Sequence, residues 1–158
     1  MHFYFMGSFN RKPELQVYAS ALTELGHHVT SRWLFDESFD VRGSGTDDVP
    51  MDLGSDEVRR IAIADLEDID QAGAVLMFSG VGQPRRGRGG RHTEFGYALR
   101  DSMERSNPDL ILIGERENAF MSLIPDGMIW PDFDTFVQST YFARLTEQAQ
   151  RSMLGPAT

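Results

Sequence analysis

Two carboxylates have the type and setting to do chemistry. Glu94 lies in the run Arg91-His92-Thr93-Glu94-Phe95-Gly96-Tyr97-Ala98. That run opens a helix expected over residues 91–105, and a helix N-terminus favours an ionised acid in its first turn. Asp65 lies on an earlier helix, expected over 55–71, in the middle of a face made by Val58, Ile61, Ala62 and Ile69. A carboxylate turned toward a core is costly unless it is paired or hydrogen-bonded. The neighbouring acids Glu67, Asp68 and Asp70 fall on flanking or outer faces and read as solvated. Each of the two also has a plain structural explanation: an ordinary first-turn glutamate, and an aspartate bonded to nearby loop backbone. Placed in one cleft, they can divide a task. One attacks or stabilises a sugar cation while the other transfers a proton.

The elements that must position them alternate between strand and helix. Residues 3–6 are a short apolar strand ended by Gly7-Ser8, and Pro13 opens a helix carrying Leu15, Tyr18, Leu22 and Leu25 at helical spacing up to Gly26. Residues 28–34 read as a second strand and 35–54 as a long acidic loop. Ser55 is a plausible N-cap for the helix that carries Asp65. Continuous apolar strands follow at 74–79 and 110–113, with a Gly/Arg loop at 80–90 between them. A short helix over 117–123 and a weak strand over 128–130 come next. One last helix has its stripe at Phe133, Phe136, Val137, Tyr141 and Leu145. This pattern predicts an α/β chain: a single Rossmann- or flavodoxin-like three-layer domain over 1–150, with a five-stranded parallel sheet in the order 2-1-3-4-5 and a frayed tail at 151–158. Ligands bind such sheets at the carboxyl ends of strands 1 and 3, which puts loops 7–12 and 80–92 on either side of one cleft.

In that cleft Gly7, Ser8, Phe9 and Asn10 offer backbone approach, a hydroxyl, an amide and a helix start, which suits an anion or a polar base edge. Arg88, Gly89 and Gly90 belong to the basic run 85–91 and could hold one phosphate; His92 could contact a base or sugar. Phe9 or Trp33 could stack on a nucleobase, although phenylalanines are mostly packing. The dinucleotide glycine spacing and the Walker lysine are absent, no Ser-His-Asp set can be assembled, and the histidines lack metal-site spacing. No cofactor and no metal are expected.

The 158 residues carry a net charge of −9 and no cysteine. An acidic surface is a poor grip for polymeric nucleic acid, whose binding needs many neutralised phosphates. The absence of cysteine excludes a disulfide framework, a thiolate metal site and a cysteine nucleophile, and it fits a cytoplasmic location. No apolar run reaches membrane-spanning length. The expected partner is therefore a small molecule.

Three blocks taken together resemble the nucleoside 2-deoxyribosyltransferase family, which includes the deoxynucleoside 5′-monophosphate N-glycosidases. They are Gly7-Ser8-Phe9, Asp65-Leu66-Glu67-Asp68-Ile69 and Gly90-Arg91-His92-Thr93-Glu94-Phe95-Gly96-Tyr97-Ala98. The resemblance spans about residues 1–145, and its most specific part is Glu94-Phe95-Gly96-Tyr97-Ala98. It implies that Glu94 attacks the anomeric carbon to form a glycosyl-enzyme, and that Asp65 protonates the base or positions the sugar. It also implies a homodimer or larger homo-oligomer. Six residues before the nucleophile, the transferases carry an Asp that meets the sugar 5′-hydroxyl, and the monophosphate hydrolases a Ser that meets phosphate; here the residue is Arg88. A cation favours a phosphate over a free hydroxyl. The tail Ser152 to Thr158 does not match the C-terminal segment with which the transferases complete a neighbour's site. The expected function is release of the base from a (deoxy)nucleoside 5′-monophosphate. The alternatives are base exchange between deoxynucleosides and a nucleotide-binding module without turnover.

Overall fold

The computed structural model describes residues 1–39, 55–80 and 90–154. Strands β1 (His2–Met6), β2 (His28–Val29), β3 (Ala74–Phe78), β4 (Asp109–Ile113) and β5 (Ile129–Trp130) form one sheet in the order β2-β1-β3-β4-β5. Every pairing is parallel. Helices α1 (Lys12–Glu24), α2 (Ser55–Asp70), α3 (Gly90–Arg105), α4 (Phe133–Val137) and α5 (Thr140–Leu154) cover it. The expected three-layer α/β domain and its strand order are those observed.

Strand periodicity decides what each face holds, because successive side chains point to opposite sides. Phe3 and Phe5 point one way, and Phe5 meets Phe78 of β3 with ring centroids 5.0 Å apart. On that side Tyr18 of α1 stacks on Phe133 of α4 at 4.2 Å, and Phe142 of α5 lies 5.2 Å from Phe136. Tyr141 of α5 donates to Asp109 of β4. Tyr4 points the other way, toward α2 and α3, and its hydroxyl reaches Glu94.

Four local expectations are corrected. The second strand stops at Val29 and gives way to a 3₁₀ turn at Arg32–Leu34. The reason is that side chains take over the ladder. Ser31 Oγ accepts the Phe5 N–H at 2.6 Å, and the Trp33 indole donates to the Phe5 carbonyl at 3.0 Å. The last helix is two, because Asp132 caps α4 by accepting the Thr135 N–H at 2.7 Å, α4 ends at Val137 and α5 restarts at Thr140. The expected short helix at 117–123 is a 3₁₀ turn, Ala119–Leu123, whose start is capped by Asn118. The apolar face of α2 is rotated: Val58 is exposed at 47% and Ala62 is exposed, whereas Ala64, Asp68 and Ile69 are buried. A turn with polar anchors, described below, sets that rotation.

Candidate active site

The candidate site builds on β1, which pairs with β3 from Phe3–Ala74 to Met6–Met77. Tyr4 is a fully buried residue in the middle of β1. A buried tyrosine needs a partner for its hydroxyl, and it finds Glu94 Oε2 at 3.1 Å. Glu94 lies one turn inside α3, which starts at Gly90, so it is not the first-turn acid that the sequence suggests. Burial rather than the helix end dominates its titration. Desolvation raises the carboxyl to about 6, and the bond from Tyr4 opposes that rise. The Tyr4 hydroxyl is itself pushed well above its ordinary value by burial and by the negative field of Glu94 and Asp65.

Asp65 approaches the same place from α2. Burial first, then the charges of Glu94 and Asp68, raise its carboxyl to about 8, against an opposing pull from Arg32. Its Oδ1 is buried without a hydrogen-bond partner among the described residues. That removes, for this oxygen, the backbone bond that would have explained an inward aspartate. Both carboxyls are therefore held above the ordinary carboxylate range, and Asp65 is raised further than Glu94.

Asp68 is a further correction. Instead of being solvated it is 2% exposed and is held by Arg32. The sequence pattern missed it because a polar residue on a helix face signals solvent unless a partner is known, and its partner is distant in sequence. Tyr4 was missed for a similar reason, since a tyrosine inside an apolar strand reads as core. The period-2 alternation that separates it from Phe3 and Phe5 was the available signal.

The expected binding loop at 7–10 lies at the end of β1. Gly7 packs closely on α1: a Cβ there would come 2.6 Å from Leu15 Cδ1, so the Leu15 side chain would have to shift. Ser8 precedes a 3₁₀ turn, Phe9–Arg11, and accepts the Arg11 N–H through its backbone carbonyl at 2.9 Å. Phe9 lies 5.5 Å from the Trp33 ring and under the Lys12 ammonium, and Asn10 is exposed. Trp33 itself is buried at 7% with its indole donor used, so it is a packing residue and offers no free face for a base. Arg11 binds Glu14 through two nitrogens and reaches the Ser79 carbonyl at 3.1 Å, tying the exits of β1 and β3 together.

The β4 exit closes the other side. Gly114 has φ +115°, and a Cβ there would lie 2.5 Å from Ser79 Oγ, so only glycine lets the two exits touch. That contact brings Glu117 within reach of the Gly80 N–H at 3.2 Å and of Arg91 at 2.8 Å. His92, the expected base or sugar contact, is exposed on α3 and lies beside the β4 exit, 3.3 Å from Asn118 and 3.8 Å from Glu117. Gly90 faces the Glu94 carboxylate, since a Cβ there would be 3.9 Å from Glu94 Oε1. Arg88 and Gly89 lie outside the described residues. Among the described residues no group of three His, Cys, Asp or Glu side chains could hold a metal ion, and no helix is long and apolar enough to cross a membrane.

No family profile matches the chain, and no curated protein matches it by sequence. Solved structures do resemble it. A 2-deoxyribosyltransferase from the psychrotolerant bacterium Bacillus psychrosaccharolyticus superimposes with a TM-score of 0.57 at 16% identity, over 90% of this chain and 95% of the other. A CMP N-glycosidase from Clostridium botulinum gives a TM-score of 0.45 at 14% identity, over 87% and 96% of the two chains. The first likeness establishes a shared fold along nearly the whole length of both proteins.

Proposed function

We propose that this chain is an enzyme that cleaves the N-glycosidic bond of a nucleoside or nucleotide, with Glu94 as nucleophile and Asp65 as proton carrier. The observation that carries the reading is the pair itself. A carboxylate anchored by Tyr4 titrates at about 6, and the carboxyl whose own titration it helps to raise, to about 8, keeps one buried oxygen without a partner among the described residues. Two acids whose environments separate them across neutrality are suited to a nucleophile and an acid. The resemblance of the three sequence blocks, and the fold shared with a 2-deoxyribosyltransferase, agree with it.

In the proposed reaction Glu94 attacks the anomeric carbon as the bond to the base breaks, and the base leaves with the proton of Asp65. The glycosyl ester on Glu94 is then opened by water, whose proton returns to the Asp65 carboxylate. Glu94 regains its charge and the free sugar departs. The negative field around Tyr4 also stabilises the oxocarbenium character that develops at the anomeric carbon.

The preferred substrate of this reading is a (deoxy)nucleoside 5′-monophosphate, with Arg88 meeting the phosphate and Gly7, Ser8, Phe9, Asn10, Gly89, Gly90 and His92 lining the cleft. A homodimer or larger homo-oligomer is proposed with it. Chromatography of a panel of nucleosides and monophosphates tests the whole reading. Free base should appear, faster from monophosphates, and Glu94→Gln should abolish it. A new nucleoside formed when a second base is added would redirect the reading to base exchange. Tight nucleotide binding with no turnover anywhere on the panel would overturn it.

A further inference from the structure

We propose that Arg32 is a positioning residue that holds Asp65 as the exchangeable proton carrier of the site, by fixing the turn of α2 on which Asp65 sits and by offsetting the charge of Asp68. The proposal rests on the reading of Asp65 as the group that gives up a proton. Arg32 emerges from the 3₁₀ turn after β2 and engages α2 at four points. Its Nε donates to Asp68 Oδ1 at 2.7 Å and its backbone N–H to Asp68 Oδ2 at 2.8 Å. Its Nη2 donates to the Ala64 carbonyl and to Glu67 Oε2, both at 2.9 Å. The residues held, 64, 67 and 68, bracket Asp65 on both sides. Thr30, from the end of β2, adds a bond to the Asp68 carbonyl at 2.9 Å. These polar anchors explain why α2 turns Asp65 inward and leaves Val58 and Ile63 exposed.

The anchorage is more than packing, because the Asp68 side chain is only 3% exposed and Arg32 is its counter-charge. Asp65 faces Glu94 from α3, Asp68 from its own helix, Arg32 from the turn after β2, and the hydroxyl of Tyr4 from β1. Burial, Glu94 and Asp68 all oppose its ionisation, and Arg32 is the group that favours it. An acid that must both give and retake a proton works best near the ambient pH. Without Arg32, Asp65 loses the cation that favours its ionisation and holds its proton more firmly.

The test is a carboxyl-carbon NMR titration of ¹³C-labelled protein, with the Asp65 signal assigned by Asp65→Asn. In Arg32→Gln the Asp65 midpoint should rise by about one pH unit, and in Asp68→Asn it should fall by a similar amount. Arg32→Lys keeps the charge without the fork and should restore most of the shift. If Arg32 only braces the helix, its loss admits water and the midpoint falls, which overturns the proposal; so does an unmoved midpoint in both variants. Should Arg32→Gln not fold, Asp68→Asn and Arg32→Lys decide alone: a midpoint that fails to fall in the first, or that departs from wild type in the second by as much as one unit, overturns it. The titration reads Asp65 directly. Failure of the glycosidase reading would show as absent turnover in the wild-type protein with these shifts intact.

Discussion

The two faces of the sheet use the same strands for opposite ends. On the side of α1, α4 and α5, buried and half-buried rings meet: Phe5 with Phe78, Tyr18 with Phe133, and Phe136 with Trp130 and Phe142. On the side of α2 and α3, Tyr4, Asp65, Asp68 and Glu94 bring acids and a phenol into the same depth of the protein. Each face also holds one group uncharged by burial, and the pH signs are opposite. His27, against Phe3 and Phe142, is lowered to about 4, so its burial destabilises the fold as pH falls from 6.5 toward 4. Asp65 is raised to about 8 from 3.8, so its burial destabilises the fold as pH rises between those values and fully above them. One face is arranged for stability, and the other retains a strain that packing alone would have removed. Asp65 and Asp68 show this on one helix: the first keeps an unpartnered oxygen, while the second is fully engaged.

The comparison predicts that the faces fail separately. Glu94→Gln should lower kcat/KM for base release by roughly ten-thousand-fold, because it removes the proposed nucleophile. Its melting temperature should stay the same or rise, since a buried charge is removed. Phe136→Ala should do the reverse. The residue is fully buried on the ring side, so the loss is about 3–5 kcal/mol in urea unfolding, with kcat/KM per folded molecule unchanged. A Phe136 variant that loses turnover while folded, or a Glu94 variant that loses only stability, would break the division of labour.

The two faces were also unequally legible in the sequence. Ring-side elements and the strand order follow from local signals: apolar runs in β3 and β4, Pro13 at the start of α1, Gly26 with φ +83° at its end. Asp65 and Glu94 were visible as acids in unusual places. What joins them was not visible. The Tyr4–Glu94 bond spans 90 residues and the Arg32–Asp68 pair spans 36, so no local period reports either. The same distance effect misplaced the apolar face of α2, because Arg32 and Thr30 rather than Val58 set its rotation. The end of β2 was misread because Ser31 and Trp33 side chains imitate a strand ladder.

Asp65→Asn probes the polar face for both activity and strain. Base release should fall about a hundred-fold or more, the contribution of a positioned acid. The wild-type kcat/KM profile should be bell-shaped, with limbs near 6 for Glu94 and near 8 for Asp65. In the variant the limb near 8 should vanish. Stability should move the other way: the variant gains over wild type as pH rises from 5 to 8, reaching roughly 1–3 kcal/mol and then levelling. Chemical denaturation at pH 5, 7 and 9 measures it. A gain that shrinks with pH would mean that Asp65 is ionised and satisfied in the fold.

Tyr4→Phe should have the smallest effect and the most diagnostic one. It removes one oxygen, keeps the ring in β1, and leaves Glu94 without its donor. Stability should fall by about 1 kcal/mol, the usual worth of such a bond, and by more at high pH, where Glu94 is charged and unsupported. Turnover at pH 7 should fall about tenfold, because the carboxylate loses both its orientation and part of its ionised fraction. The sign of the pH effect separates this from packing. The Tyr4 bond favours the charged form of Glu94 and holds its titration down, so without it the acid limb of kcat/KM must move to higher pH. If Tyr4 only filled space, Phe would fill it equally well and the limb would stay where it is. A limb that stays in place while turnover falls would assign the hydroxyl to the substrate instead of Glu94.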